Sequence, residues 1–361
     1  MTTTLPVPAS GADTIDEAAP TAVPRRGDFT ELSAAIKQAG LLRRRRGVYV
    51  AKFALNTGLL AVTATAFGVL GASWWQLLTA AFLAVVSTQL AFIGHDAGHR
   101  QIFRTKRAND VVGHLHGALV GMSFGAWVSK HNEHHAHPNH EDVDPDIDIP
   151  ILAFSTAQAA TKTGLAARVV AHQALMFFPL LLLEGWNLHV AAAQSALRGE
   201  VPAPRLEVGL LVAHVLGYLT AVFWVLTPLQ AIVFIAVHQG LWGLYMGLAF
   251  APNHKGMPMI AAGSRLDHLH KQVLTSRNVR GGRITDYALG GLNYQIEHHL
   301  FPKMPRPNLR HAQSVVRAYC DAHDLGYTQT SAMRSYTQVL AHLHEVGAAL
   351  RVPGRRSSAA H

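Results

Sequence analysis

Cysteine is almost absent from this chain, and its absence removes several classes of site at once. Cys320 is the only cysteine among the 361 residues. A disulfide within one chain, a cysteine-ligated iron–sulfur cluster and a structural zinc site built from cysteines are therefore excluded. The chain also lacks a GxGxxG motif after a predicted strand, so no NAD(P)- or FAD-binding unit is expected.

Charged residues are also scarce. They make up 15% of the chain, and the mean hydropathy is +0.16, whereas soluble domains carry about 25% charged residues. The deficit predicts a membrane protein. The net charge of +9 is concentrated beside apolar runs, as at Arg43–Arg46. That placement follows the positive-inside rule of membrane proteins and argues against a nucleic-acid-binding groove.

The N-terminal region has no basic segment followed by an apolar core, so it is not a secretory signal. Residues 1–27 are rich in Thr, Pro and Ala and are predicted to be a disordered tail. Residues 28–46 predict an amphipathic, basic helix lying on the membrane surface. Its apolar positions at near-helical spacing are Phe29, Leu32, Ile36 and Leu41. The main domain is expected over 47–351, with a second disordered tail at 352–361.

Five apolar runs predict the membrane architecture. They are Val48–Leu70, Trp74–Ile93, Val169–Leu183, Val208–Leu226 and Leu229–Ala251. A bilayer crossing needs about 20 apolar residues. The third run is short and contains Pro179, so it is predicted to be interfacial or re-entrant. The fold class is therefore all-α integral membrane, with four transmembrane helices arranged as two hairpins.

Arginines flank the outer ends of the first hairpin, which places both ends in the cytoplasm. The segments after Ala251 are polar and histidine-bearing, and the region beyond Pro305 contains two amphipathic stretches, with Pro307 suited to a first helical turn. These parts predict a cytoplasmic helical cap.

Histidine is abundant, with 23 residues, and seven of them fall into three short motifs. The motifs are His95-Asp96-Ala97-Gly98-His99, His131-Asn132-Glu133-His134-His135 and Gln295-Ile296-Glu297-His298-His299. Positions i, i+3 and i+4 share one face of a helix, and neutral imidazole is a good ligand for iron, zinc and copper. Seven imidazoles exceed what one ion needs. We therefore predict that these histidines are the metal ligands and the catalytic centre: His95, His99, His131, His134, His135, His298 and His299.

The order HDAGH, HNEHH and QIEHHLFP resembles the membrane fatty acid desaturases. The glutamine that opens the third motif resembles the front-end and bacterial acyl-CoA (linoleoyl-CoA-type) branch of that family. The segments Asn139–Asp146 and Gly290–Tyr294 add to the resemblance, which extends over about residues 47 to 330.

The resemblance implies four crossings, a cytoplasmic di-iron centre and a tunnel for an extended acyl chain. It implies a further ligand, His254, and Gln295 as a weaker ligand or an outer partner. O2 would be the co-substrate and a fatty acyl chain, attached to CoA or to a lipid, the substrate. Many front-end relatives carry a fused cytochrome b5 with an HPGG motif that this sequence lacks. Electrons are therefore expected from a separate partner, a ferredoxin or an NADPH-dependent reductase.

Other residues and reactions remain open at this point. Asp96, Glu133 and Glu297 could orient imidazole N–H groups or be solvated or structural carboxylates, and the acidic run Glu141–Asp148 reads as a surface loop. Hydroxylation or ketolation could use the same centre. A histidine-rich metal transporter would instead place its ligands in the middle of crossings. A zinc peptidase is disfavoured because the chain has no HExxH motif. The histidines left outside the predicted site are His114, His116, His137, His140, His238, His268 and His270.

Overall fold

The computed structural model describes residues 14–15 and 28–351, which form a mostly helical structure with four short strands. The helices that precede the second hairpin are α1 Asp28–Gln38, α2 Arg46–Leu70, α3 Gln76–Gly98, α4 Lys106–Val120, α5 Phe124–Ala136, α6 Thr156–Thr161, α7 Gly164–Ala171, α8 Gln173–Leu181 and α9 Glu184–Leu197. The later helices are α10 Pro204–Val225, α11 Pro228–His254, α12 His268–Leu274, α13 Arg283–Ala288, α14 Gln295–Leu300, α15 Arg306–Ala322, α16 Ala332–Val346 and α17 Ala348–Arg351.

The strands are β1 Thr14–Ile15, β2 Met259–Ile260, β3 Asn278–Arg280 and β4 Gln329–Ser331, which form two parallel pairs, β1 with β2 and β3 with β4. The predicted disordered tails, 1–27 and 352–361, lie outside the described residues except for the two residues of β1. Pairing of β3 with β4 joins the segment before the third histidine motif to the C-terminal helices.

Within residues 28–351, four helices are long and apolar enough to cross a bilayer, and they coincide with the four runs predicted as crossings. They are α2, α3, α10 and α11. In α3, 61% of the most apolar window is buried inside the protein, against 11% in α2 and 6% in α10. The α3 helix is therefore central, whereas α2 and α10 expose their apolar sides. Both α3 and α11 continue past their apolar runs and carry histidine at their C-terminal ends.

Two further helix pairs would reach spanning length only as bent units. The run predicted to be interfacial or re-entrant is α7 and α8, which meet at an angle of 101°. The second bent pair, α4 and α5 at 108°, was not predicted. Its corner contains Gly121 at φ +71°, where an added Cβ would also lie 2.6 Å from the ring of His189. Both constraints require glycine, and the corner turns the second histidine motif back toward α3.

The first helix differs from the amphipathic surface helix that was predicted. It ends at Gln38, and Arg46 begins α2. Its apolar side chains Leu32 and Ile36 are fully buried in a cluster with residues of α12, α14 and α15. That cluster includes Cys320, which is fully buried and whose thiol pKa burial raises to about 12. The apolar face of α1 therefore packs on protein, and α1 covers the helix that carries the third motif.

Candidate metal centre

The three histidine motifs lie on three helices that converge at one end of the long helices. The first motif ends α3, the second lies in the last turns of α5, and the third forms α14. Gly98, inside the first motif, permits this approach, because a Cβ there would lie 2.5 Å from the ring of Trp127 on α5. His254 ends α11 and reaches the same place. All the predicted ligands are buried except His131, which is partly exposed.

The imidazoles form two groups, each with its nitrogen atoms within 4.8 Å of one another. The first histidine group is His95, His99, His131 and His298; the second histidine group is His134, His254 and His299. In the first, Nε2 of His131 lies 2.9 Å from Nε2 of His99. In the second, Nε2 of His254 lies 3.0 Å from Nε2 of His299. Lone-pair atoms that converge at such distances form the donor arrangement of a metal site.

Two of the motifs contribute to both groups. In the second motif His131 belongs to the first group and His134 to the second, with ring centroids 6.0 Å apart. The neighbours His298 and His299 divide in the same way, with ring centroids 5.8 Å apart. The two groups are therefore adjacent, as two ions in one centre would require. Helical spacing predicted the shared faces, but it did not predict this division.

His135 lies between the groups and outside both. Its Nε2 is 3.1 Å from Nε2 of His131, and its ring stacks on that of His299 at 4.1 Å. Gln295 adjoins the second group, with its amide nitrogen placed 2.9 Å from Nε2 of His254 and its amide oxygen accepting from Asn253 at 3.3 Å. Both residues were predicted as ligands from the sequence. Both lie beside the two histidine groups, and neither belongs to either group.

Each imidazole of the second group forms a hydrogen bond through Nδ1, the ring nitrogen that points away from the group. Asp144 lies 2.9 Å from Nδ1 of His134, and the oxygen of Gln272 lies 2.8 Å from Nδ1 of His299. The carbonyl of Thr275 lies 3.0 Å from Nδ1 of His254. A proton held on Nδ1 leaves the lone pair on Nε2, directed into the group.

None of these three outer partners was predicted. Asp144 corrects the interpretation of the acidic run as a surface loop, because its side chain is buried and also accepts a hydrogen bond from the backbone of Asn139 at 2.8 Å. In the sequence, the only indication of a role for Asp144 was its position in the segment Asn139–Asp146, which resembles the desaturases. Gln272 and Thr275 occupy a segment with no motif, so only the fold brings them to the site.

Among the described residues, only one of the three carboxylates inside the motifs, that of Asp96, lies within hydrogen-bond distance of an imidazole; the other two fit the solvated or structural alternative. Glu133 is exposed. Glu297 is buried, but it accepts hydrogen bonds from Asn278 at 2.7 Å and Tyr327 at 2.8 Å and contacts no imidazole within the described residues. Burial raises the pKa of Glu297 to about 7. Asp96 lies 3.5 Å from Nδ1 of His95, and its closer partner is the guanidinium of Arg306 at 2.7 Å.

The neutral state of the buried imidazoles and their unpaired ring nitrogens favour the binding of a cation. Burial lowers the pKa values of His99, His298 and His299 well below the usual range of histidine, with further lowering from neighbouring imidazoles. Neutral imidazole is the ligand form. Among the described residues, Nε2 of His95 and Nε2 of His298 are buried without a hydrogen-bond partner. Buried polar atoms rarely lack one. The donor set therefore fits metal ions bound by imidazole nitrogen, a group that includes iron.

A cavity of about 40 Å³ reaches the first histidine group from the long helices. His95 and Trp127 lie at one end, and the remaining lining comes mainly from apolar and glycine residues of α3, α4 and α11. Trp127 also stacks on His131 at 4.5 Å. An apolar chain that entered this cavity would lie beside His95 of the first histidine group.

The long apolar helices end at a buried histidine cluster that an apolar cavity adjoins. These features define a class of helical proteins with a histidine site suited to metal ions at the end of membrane-length helices. Comparison with known families is specific within that class. The fatty acid desaturase model matches residues 72–331, and this chain belongs to the fatty acid desaturase family.

Individual relatives agree with this assignment. The chain is 32% identical over 340 residues to an acyl-lipid (9-3)-desaturase of Physcomitrium patens, covering 89% of this chain and 63% of that protein. It is 30% identical over 331 residues to a Δ6 fatty acid desaturase of Caenorhabditis elegans, covering 87% and 74%. It is 28% identical over 331 residues to a Δ8 fatty acid desaturase of Helianthus annuus, covering 84% and 69%. The chain thus spans somewhat less than two thirds of the first of these relatives.

The ion pair of Asp96 with Arg306 yields a stability prediction. Replacing Arg306 by Met leaves the buried carboxylate of Asp96 uncompensated, and removing one partner of a buried pair costs about 3–5 kcal/mol. Arg306 also donates to the carbonyl of Gly290 at 3.0 Å, so the double variant Asp96→Asn/Arg306→Met should recover only part of the loss. Thermal unfolding of the purified protein in detergent measures both effects.

The control for this experiment is on the same helix. Arg310 is 47% exposed and pairs with Asp286 at 3.4 Å, so Arg310→Met should cost at most about 1 kcal/mol. If Arg306→Met unfolds at the same temperature as Arg310→Met, the pair does not hold α15 against α3.

Proposed function

We propose that this protein is an O2-dependent fatty acyl desaturase that introduces a cis double bond at a histidine-ligated di-iron centre. The observation that carries the proposal is the arrangement of two adjacent histidine groups at the end of an apolar cavity. Family membership supports the reaction class. Two bound irons would supply the oxidising chemistry with O2 that no amino-acid side chain provides.

The proposed ligands are the eight imidazoles of the centre, with Gln295 beside His254 as a weaker ligand or a water-holding partner. The list is His95, His99, His131, His134, His135, His254, His298 and His299. Asp144, Gln272 and the Thr275 carbonyl fix the rings of the second group. A ring fixed through Nδ1 cannot rotate its ligand atom away from the site, so the centre is held in place before substrate arrives.

The helices around the cavity would bind and align the acyl chain. The first cavity is lined largely by carbon, so it excludes water and binds methylene groups through apolar contact. A chain held in a narrow cavity has one register, and that register decides which carbons lie beside His95. Trp127 closes the cavity next to His131.

The electron donor and the membrane arrangement are also parts of the proposal. Each turnover needs two electrons, which we assign to a separate ferredoxin or NADPH-dependent reductase, and the acyl carrier to CoA or a lipid. We further propose that the four long helices cross a cell membrane as two hairpins, with the histidine centre on the cytoplasmic face. The arginines before α2 and after α3 support that orientation.

The metal assignment predicts the iron content of variants. Purified protein should hold close to two irons per chain, and His298→Ala or His299→Ala should lose most of the iron because each removes a nitrogen donor from one group. His323→Ala, which alters an exposed histidine at the C-terminal end of α15, is the control and should keep its iron. Metal analysis of the membrane-extracted proteins measures this. Full occupancy in both site variants would refute the ligand assignment.

The orientation predicts which introduced cysteines are accessible. Cys320 is buried, so it is a poor reporter and is replaced by Ala as background. Ala72→Cys, in the exposed link between α2 and α3, should react with a membrane-impermeant maleimide on intact cells. Arg317→Cys, at a side chain 57% exposed on α15, should react only after permeabilisation. Labelling of Arg317→Cys on intact cells contradicts the proposed orientation.

The reaction predicts a product that distinguishes desaturation from hydroxylation. Membranes supplied with a saturated acyl-CoA, O2, NADPH and a matched reductase should form a cis-monounsaturated chain, detected by gas chromatography of the methyl esters. Omission of O2 or of the reductase should abolish it. If the main product instead carries an oxygen atom from O2, the centre is a hydroxylase and the proposed reaction is wrong.

A further inference from the structure

Two exposed apolar side chains lie at the end of one short strand pair. β3 and β4 run in parallel, and their last residues, Arg280 and Ser331, are paired. Ile284 follows closely after β3 and Met333 after β4, so both lie beyond the same edge of the pair. Their side chains are 86% and 79% exposed. Among the described residues, no large apolar side chain outside the four long helices is more exposed.

The chain around these two side chains is cationic, and its charges are not balanced by carboxylates. Arg280, Arg283 and Arg334 are exposed, and within residues 28–351 none of them forms an ion pair. The carboxylate of α13, that of Asp286, is already bound by Arg310 at 3.4 Å. We define the cationic tip as Arg280, Arg283, Ile284, Met333 and Arg334.

The direction of α16 shows which way the cationic tip faces. The hydroxyl of Tyr336 donates to the carbonyl of Leu248 on α11. Just beyond α11, a Cβ added at Gly256 would lie 3.0 Å from the carbonyl oxygen of Gln338. Residue numbers rise together along these two contacts, so α16 runs in the same direction as α11. Met333, at the start of α16, therefore lies toward the apolar part of α11 and away from its histidine-bearing end.

The end of α13 meets the long helices at a similar level. The hydroxyl of Tyr245 on α11 donates to the carbonyl of Ala288 at 2.7 Å, and the side-chain amide of Gln89 on α3 donates to the carbonyl of Tyr287 at 3.2 Å. Tyr245 and Gln89 lie about 26 Å and about 20 Å from the first residues of their helices, at 1.5 Å per residue. A hydrocarbon core is about 30 Å thick. This level therefore falls within the core, near its cytoplasmic edge, where backbone carbonyls need such partners.

An exposed apolar pair beside unpaired cations matches the boundary between the acyl chains and the phosphates of a bilayer. An acidic soluble protein would also match the arginines, but lipid around the long helices would exclude it at this level. We propose that the cationic tip inserts into the cytoplasmic leaflet, with Ile284 and Met333 among the first acyl carbons and the arginines on phosphates of anionic phospholipids. This inference rests on the membrane crossings proposed above.

β3 connects the cationic tip to the third histidine motif. The side-chain oxygen of Asn278 accepts from the backbone N–H of Ile296 on α14 at 2.9 Å, and its amide donates to Glu297 at 2.7 Å. Because the tip continues directly from β3, its insertion would hold α14 at a fixed height relative to the hydrocarbon core. The lipid contact would thus support the part of the metal centre that α3 and α11 do not carry.

Site-directed fluorescence measures the depth of the cationic tip. In a Cys320→Ala background, Ile284→Cys or Met333→Cys carries an environment-sensitive fluorophore, and the full-length protein is reconstituted in nanodiscs that contain anionic phospholipid. Both probes should emit at shorter wavelength than in water. Both should be quenched by lipids that carry a nitroxide on an early acyl carbon, and not by aqueous iodide.

Two further positions calibrate the measurement. Leu216→Cys, at a side chain 62% exposed on α10, should be quenched by the nitroxide lipid if the long helices cross the bilayer. Asp321→Cys, at a side chain 65% exposed on α15, should be quenched by iodide alone. Iodide quenching at Ile284 and Met333 together with lipid quenching at Leu216 overturns the inference and leaves the crossings intact. Loss of lipid quenching at Leu216 refutes the crossings and the inference with them. Tip probes shielded from both quenchers mean that protein covers the tip, which also overturns the inference.

The arginines predict a preference for anionic lipid. Quenching of the Ile284→Cys probe is compared between nitroxide lipids that have an anionic or a neutral headgroup. The anionic lipid should be enriched about fivefold, the preference expected for one arginine at an anionic surface. The triple variant Arg280→Gln/Arg283→Gln/Arg334→Gln should bring the ratio toward one, whereas Arg265→Gln, at an exposed arginine before α12, should keep it. A ratio near one in the protein with all its arginines overturns the assignment of an anionic partner.

Discussion

Seven imidazoles form two adjacent groups inside an otherwise apolar protein, with an eighth, that of His135, between them, and much of the architecture can be understood from what this arrangement requires. Histidine nitrogens crowded at about hydrogen-bond distance repel one another if protonated and are unsatisfied if left without a proton or a cation. Burial lowers the pKa values of His298 and His299, which selects the neutral form. Hydrogen bonds donated by Nδ1 to oxygen acceptors outside the group then select the tautomer in the second group, as with His134 donating to Asp144.

Bringing the imidazoles together demands close packing of helices that are distant in sequence. The bend of 108° between α4 and α5 returns the second motif to the end of α3, and two glycines permit it, Gly121 at the corner and Gly98 at the contact with Trp127. The C-terminal helices close the other side. Arg306 of α15 joins the carboxylate of Asp96 to the carbonyl of Gly290, so the first motif and the loop before the third motif are held by one side chain.

The long helices serve the centre in a second way, because they enclose the space through which an apolar chain could approach it. That space is lined mainly by apolar surface along its length, first beside His95 and then farther along α11, so it suits methylene groups. In the proposed enzyme the part beside His95 would align the reacting carbons.

Much of this could be predicted from local patterns in the sequence. Apolar runs of bilayer length give the four long helices, since length and hydropathy are properties of contiguous residues. The spacing of His131, His134 and His135 gives a shared helical face, and the three motifs together resemble the family to which the chain belongs. Residues in contiguous motifs are found because helical periodicity fixes their relative directions before any tertiary contact forms.

Only the tertiary structure decided how those residues are used. It divided His298 and His299 between two groups, brought Gln272 behind His299, buried Asp144 and packed the apolar face of α1 on protein where a membrane surface was expected. It also grouped His238, which has no motif spacing, with Ser87 and Tyr218. Each of these contacts joins helices or loops far apart in the chain, and sequence periodicity holds no information about which distant surfaces meet.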